Sequence, residues 1–287
     1  MPTLFSGEYG VTFNGVQIHY TVSGSGPILF AHSGGPGMDA RAWDDFGKIG
    51  EFVTLVVIHP RGSGLSGPAP EKAYLLPDYA ADVEALRIHL GLESPILMGW
   101  SHGGMVAMQY AFTYPDSLSK LILFDTSAYF GEFLSNIEAA VQEFREEPWF
   151  ETSFAALRAE WDGKYEGDED MWRLWVEEMK FYFRKFDSRA RAYHERTKDL
   201  SIHIDPLRTF NEREAATLDL RPHLNQIAVP TLVIVGRHDF ITNVAMAEEI
   251  AKHIPDARLE VFEESGHFAF VEEPEKFYRV IKDFVES

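Results

Sequence analysis

The chain of 287 residues has no cysteine. That excludes disulfides, thiolate metal sites and a cysteine nucleophile together. A reducing compartment suits such a chain, so a cytoplasmic location is expected. No apolar run is long enough to cross a bilayer. The opening residues, MPTLFSGEYG, lack a basic stretch followed by an apolar one, so no secretion signal is expected. Positive charge is scarce: 26 Lys and Arg face 45 Asp and Glu, for a net charge of −19. That field repels phosphate backbones and anionic lipid, so neither nucleic acid nor membrane is an expected partner. A small-molecule substrate is expected, with the chain acting as a monomer or small homo-oligomer. The helical pair H-E-x-x-H is absent, and no other histidine or carboxylate set has metal-ligand spacing, so neither metal nor cofactor is implied. There is no internal repeat and no low-complexity tract.

What is present is a hydrophobic content of 45%, enough for a full core. Residues 9–22 read as two strands around Asn14-Gly15, a hairpin signal. PILFAH (27–32) and FVTLVVIHP (52–60) are short continuous apolar runs, as strands buried on both faces of a parallel sheet require. Tyr79, Val83, Leu86 and Leu90 give helical spacing over 77–90. PILMGW (95–100) predicts a strand, 104–114 a helix stopped by Pro115, and KLILFD (120–125) another strand. From Gly131 to about Phe210 no β-rich run appears, helical spacing dominates, and four of the six tryptophans gather there: Trp149, Trp161, Trp172 and Trp175. Alternation then returns with strands at 230–236 and 258–264 and helices at 245–253 and 274–285. The pattern predicts an α/β fold with a mostly parallel, doubly wound sheet. Residues 1–130 and 211–287 form the expected core domain, and 131–210 the expected helical cap, or lid, inserted after strand six.

Chemistry in such sheets gathers at the carboxyl ends of strands. Gly99-Trp100-Ser101-His102-Gly103 lies at one, between a buried strand and a helix. This G-x-S-x-G elbow lifts a serine hydroxyl out of a turn so tight that side chains two residues away on either side would clash. Ser101 is the candidate nucleophile. A serine needs a base, and this fold sets the chain order Ser, acid, His. His267, in ESGHF after the last strand, is the candidate base. Asp239, in GRHD after strand seven, is the favoured acid, with Asp125 at the end of strand six as its competitor. His102 is adjacent to the serine and is expected to supply its backbone N–H, not its ring. With Gly35, in the glycine-rich loop 32–37, it forms the expected oxyanion pair. GSGLSG (62–67) matches a dinucleotide fingerprint, but Pro68 and Pro70 follow where a helix should open, so it reads as a structural loop.

These residues resemble the α/β-hydrolase superfamily over nearly the whole chain. More narrowly, GGPG (34–37), RGSGLS (61–66), GWSHGG (99–104), GRHD (236–239) and the tryptophan-rich cap resemble its proline iminopeptidase branch. The resemblance implies an eight-stranded sheet, a helical cap and a serine hydrolase working through an acyl-enzyme. The branch carries W-x-x-W-E, whose glutamate binds the substrate's free amine. Here Val176 follows Trp172 and Trp175, and Glu177 comes one residue late. Trp100, Trp172, Trp175, Glu177 and Asp205 are the candidate substrate-binding residues. The expected activity is hydrolysis of a small, largely apolar ester or amide. The alternatives are a lactonase or carbon–carbon hydrolase on the same machinery, or a ligand-binding receptor on the same fold.

Overall fold

The computed structural model describes residues 4–43, 46–70, 73–130 and 137–287. The hairpin forms as read: β1 (Gly7–Phe13) pairs antiparallel with β2 (Val16–Gly24). Asn14 and Gly15 both take positive φ, 49° and 79°, as a two-residue turn matching strand twist requires. The apolar runs become β3 (Ile28–His32), β4 (Thr54–Ile58), β5 (Ile96–Trp100), β6 (Lys120–Phe124) and β7 (Thr231–Gly236). All but Lys120 in these five strands are buried. The last strand, β8 (Ala257–Phe262), lies at an edge and is mostly half-buried. The eight strands form one sheet in the order β1-β2-β4-β3-β5-β6-β7-β8, parallel from β4 onward. Because the parallel strands run the same way, β5, β6, β7 and β8 deliver their following loops to a single edge.

Helices cover both faces. On the β-sheet flanks lie α1 (Leu76–His89), α2 (His102–Thr113), α8 (Val244–His253), the short α9 (Ala269–Glu272) and α10 (Pro274–Glu286). Two apolar clusters result, one on each side of the sheet. Arg61, from the glycine-rich loop, is buried with a bidentate bond to Asp82 of α1, both at 2.7 Å. That loop opens no helix, as expected.

Between β6 and β7 the described residues hold only helices and isolated bridges: α3 (Ile137–Ala140), α4 (Phe150–Trp161), α5 (Asp168–Glu178), α6 (Ser188–Thr197) and α7 (Ile204–Arg213). The expected start of the cap, Gly131, lies outside the described residues. Met171, Trp172, Leu174 and Trp175 of α5 join the same apolar cluster as Trp43, Trp100 and Phe268 of the core. The helical segment thus packs on the sheet's loop edge as one continuous body. Among the described residues, no helix is long and apolar enough to cross a membrane.

Candidate active site

The elbow is built by steric exclusion. Helix α2 begins at His102, directly after Ser101, two residues earlier than the apolar pattern suggests. Ser101 takes φ 51° and ψ −121°, a conformation that few non-glycine residues adopt. A Cβ on Gly99 would strike the Gly103 carbonyl and sit 2.7 Å from Gly104 Cα. A Cβ on Gly103 would strike the carbonyl oxygens of His32 and Ser33. The strained turn is held from the next strand: Ser101 N–H donates to the Phe124 carbonyl at 2.9 Å, and Thr126 Oγ1 donates to the Ser101 carbonyl at 2.7 Å.

Gly34 lies against the elbow. A Cβ there would come 2.8 Å from Ser101 Cβ and into the Trp100 ring. The next peptide N–H along the chain is that of Gly35, which sits at φ 59° with its carbonyl accepting from Met38 N–H at 3.0 Å. The N–H groups of His102 and Gly103, the first two of α2, precede any intrahelical acceptor, whereas Gly104 N–H already donates to the Ser101 carbonyl at 2.9 Å. The His102 side chain points elsewhere. Its ring is buried edge-on to Tyr79 and Phe210, and Nε2 has no partner. Burial, with neighbouring His32 adding to it, lowers its pKa to about 3, so it stays neutral at physiological pH.

His267 and Asp239 meet across 28 residues. His267 Nδ1 is 2.7 Å from Asp239 Oδ2, and both side chains are buried. A carboxylate only accepts, so Nδ1 carries the hydrogen, and in the neutral ring the lone pair is on Nε2. Asp239 is held by three further donors: Ile241 N–H at 2.8 Å, Thr242 N–H at 3.0 Å and Thr242 Oγ1 at 2.7 Å. Trp100 joins this pair to the elbow. Its ring stands 4.8 Å from the His267 ring, and its Nε1 donates to the His267 carbonyl at 3.2 Å. The indole is itself packed among Trp43, Phe124 and Phe268.

The helical segment closes over the histidine. His267 N–H donates to the Tyr182 carbonyl at 2.7 Å, and the two rings lie 5.5 Å apart. Glu272 staples the same junction, accepting from Gly266 N–H at 2.7 Å and Arg184 N–H at 2.8 Å. Burial pushes the Glu272 carboxyl up to about 8 against those donors. Trp172 and Trp175 stack on each other at 5.1 Å, with Trp175 6.1 Å from Tyr182.

The two acids proposed from sequence, Glu177 and Asp205, have surroundings of their own. Glu177 pairs with Lys180 at 2.6 Å, its side chain more than a third exposed. Asp205 lines a separate 260 Å³ pocket with Tyr74, Asp168 and His203. The buried acid of α5 is the next residue, Glu178, at 0% exposure. It lies i+3 and i+4 from Trp175 and Leu174, on the buried stripe of the helix. A glutamate interrupting an apolar stripe was the signal available in the sequence. Beside it stand Glu160 of α4 and Tyr182, and no cation is among the groups acting on it. Burial and then Glu160 raise the Glu178 pKa well above its ordinary value. A 310 Å³ cavity is lined by Glu160, Tyr182, Phe130, Trp161, Phe210 and Ile241, among others.

A model of the alpha/beta hydrolase fold family matches residues 27–274. The chain belongs to this family. It is 28% identical over 292 aligned residues to a proline iminopeptidase of Saccharolobus solfataricus, covering 95% of this chain and 90% of that one. It is 26% identical to a 2-hydroxy-6-oxo-6-phenylhexa-2,4-dienoate hydrolase of Comamonas testosteroni, covering 94% and 91%. The crystal structure of a proline iminopeptidase of Mycobacterium smegmatis superposes with a TM-score of 0.76 at 22% identity, covering 98% of each chain. That last likeness is one of fold.

Proposed function

We propose that this hydrolase cleaves a small, largely apolar ester or amide, with Ser101 as nucleophile, His267 as base and Asp239 as its orienting acid. The observation that carries the reading is the 2.7 Å bond from His267 Nδ1 to Asp239, set by Trp100 beside a serine strained to φ 51°. His267 Nε2 takes the Ser101 proton as Oγ attacks the carbonyl, then returns it to the leaving group. The acyl-enzyme left on Ser101 is released by water through the same base. Gly35 N–H and His102 N–H hold the oxyanion, each worth about 3–4 kcal/mol in the transition state. Residues 131–210 act as the cap over a core of 1–130 and 211–287, with Trp172 and Trp175 in its packing.

Among bond types, the buried Glu178 with half-buried Glu160 beside it favours an aminoacyl substrate. Two adjoining carboxyls, one of them fully buried, resist joint ionisation until a cation joins them. A substrate ammonium entering the 310 Å³ cavity beside Glu160 would supply that cation. A lactonase or a carbon–carbon hydrolase, as named among the relatives and neighbours, needs no such group.

The test compares aminoacyl 4-nitroanilides with simple 4-nitrophenyl acyl esters on the same preparation. The reading expects higher kcat/KM on the aminoacyl set, with a fluorophosphonate labelling Ser101 in both assays. Preference for acyl esters, with Ser101 still labelled, leaves a serine esterase without amine recognition. A label elsewhere removes Ser101.

A further inference from the structure

The proposed mechanism uses one of two buried aspartates. Asp125 follows β6, Asp239 follows the neighbouring strand β7, and the two sit side by side. One oxygen of each and a ring nitrogen of His267 all lie within 4.8 Å of one another. Asp125 is 0% exposed. Its Oδ1 accepts from Gly236 N–H at 2.8 Å, and its Oδ2 meets no donor. Its backbone is held at φ 40°, while its N–H donates to the Ile234 carbonyl at 2.9 Å. A non-glycine residue stays in that region only when its surroundings over-determine it. The next residue, Thr126, clamps the elbow carbonyl, so one short stretch touches both the nucleophile's turn and the acid's loop.

Two carboxyls this close, in a dry site without a cation between them, cannot both carry charge. Asp239 accepts from four donors and Asp125 from one, so the charge belongs on Asp239 and the proton on Asp125. We propose that Asp125 is a positioning residue: a neutral acid whose second oxygen donates a hydrogen bond to Asp239 and, through it, fixes the His267 ring. The inference rests on the triad reading above. Desolvation, then the Asp239 charge, push the Asp125 carboxyl well above its ordinary range, Glu272 of α9 adds to this, and the Gly236 N–H opposes it. Asp239, Glu272 and His267 are thus the titratable groups that face it.

The test uses Asp125→Asn and Asp125→Ala in the full chain. Asparagine keeps an acceptor for Gly236 and a donor for Asp239; alanine keeps neither. In kcat/KM against pH on 4-nitrophenyl acetate, Asp125→Asn should stay within about threefold of the parent, with the acid limb unmoved. Asp125→Ala should lose about 10–100-fold in kcat at little change in KM, as removal of an orienting partner does. Infrared difference spectra at pH 7 should show one protonated-carboxyl band lost in Asp125→Asn, and this decides the matter even if the alanine variant does not fold. An ionised Asp125 would favour the imidazolium, so its removal would move the acid limb of Asp125→Asn down by about a unit or more. That shift, an unchanged infrared band, or an alanine variant as active as the parent overturns the proposal. Full turnover by Ser101→Ala would remove the triad reading instead, independently of either Asp125 variant.

Discussion

His267 and Asp239, 28 residues apart and on the loops of adjacent strands, share a 2.7 Å hydrogen bond in a buried site. Parallel pairing of β7 with β8 places both loops at one edge, and three further donors leave the Asp239 carboxylate a single orientation. Asp239→Asn keeps the shape but reverses the polarity facing Nδ1. Its kcat on a 4-nitrophenyl ester should fall about 10³–10⁴-fold, with the chain still folded by circular dichroism. Wild-type rates would dismiss Asp239 as the orienting acid.

His102 offers a contrast. Its ring is neutral down to about pH 3, so it contributes nothing to the acid limb of a rate profile. His102→Gln should leave the position of that limb unchanged on the same ester, because only the backbone N–H of residue 102 is asked to act. A displaced limb would mean that the side chain titrates in the reaction.

Glu178 sets a pH dependence of stability. Its folded pKa is raised, so below its ordinary value of 4.5 it is neutral in both states and costs nothing through linkage. As pH rises past that value the unfolded chain ionises while the native carboxyl stays neutral, and stability falls until the folded pKa is reached. Glu178→Gln removes this loss. The variant's Tm should exceed the parent's by about 3 °C or more at pH 7.5, and the difference should shrink toward pH 4.5. If a substrate amine enters the cavity beside Glu160 and is shared with Glu178, the same variant raises KM for aminoacyl substrates and spares simple esters. A Tm difference constant with pH would contradict the buried, protonated state.

The glycines of the elbow can be ranked by what surrounds them. A Cβ on Gly103 would strike two backbone carbonyls, so Gly103→Ala should cost on the order of 3 kcal/mol or prevent folding. A Cβ on Gly167, the N-cap of α5, would meet nothing within 4 Å, so Gly167→Ala should cost only the weaker cap, about 1 kcal/mol or less in urea denaturation. Equal effects would show that the collision at residue 103 is relieved elsewhere.

Much of this was legible in the residues. The continuous apolar runs marked five buried strands within a residue or two, because burial on both faces leaves no room for polar alternation. The elbow was legible because its glycines are demanded by backbone collisions. The start of α2 was not: two glycines are poor helix formers, and the turn overrode their propensity. The buried Glu178 and its neighbour Glu160 were not among the acids read from the sequence. Glu177 follows a tryptophan motif by one place too many, and the buried Glu178 is visible only once the helix stripe is known. Nor did chain order show that Asp125 and Asp239 stand together, because pairing of β6 with β7 crosses more than a hundred residues.

In the proposed mechanism Ser101 Oγ forms the bond to the substrate carbonyl, and every other role depends on it. The most direct measurement is kcat for a 4-nitrophenyl acyl ester with Ser101→Ala. A loss of several orders of magnitude, on the order of 10⁴–10⁶-fold, is expected with the fold retained. A Ser101→Ala chain that turns over the ester within tenfold of the parent would contradict it.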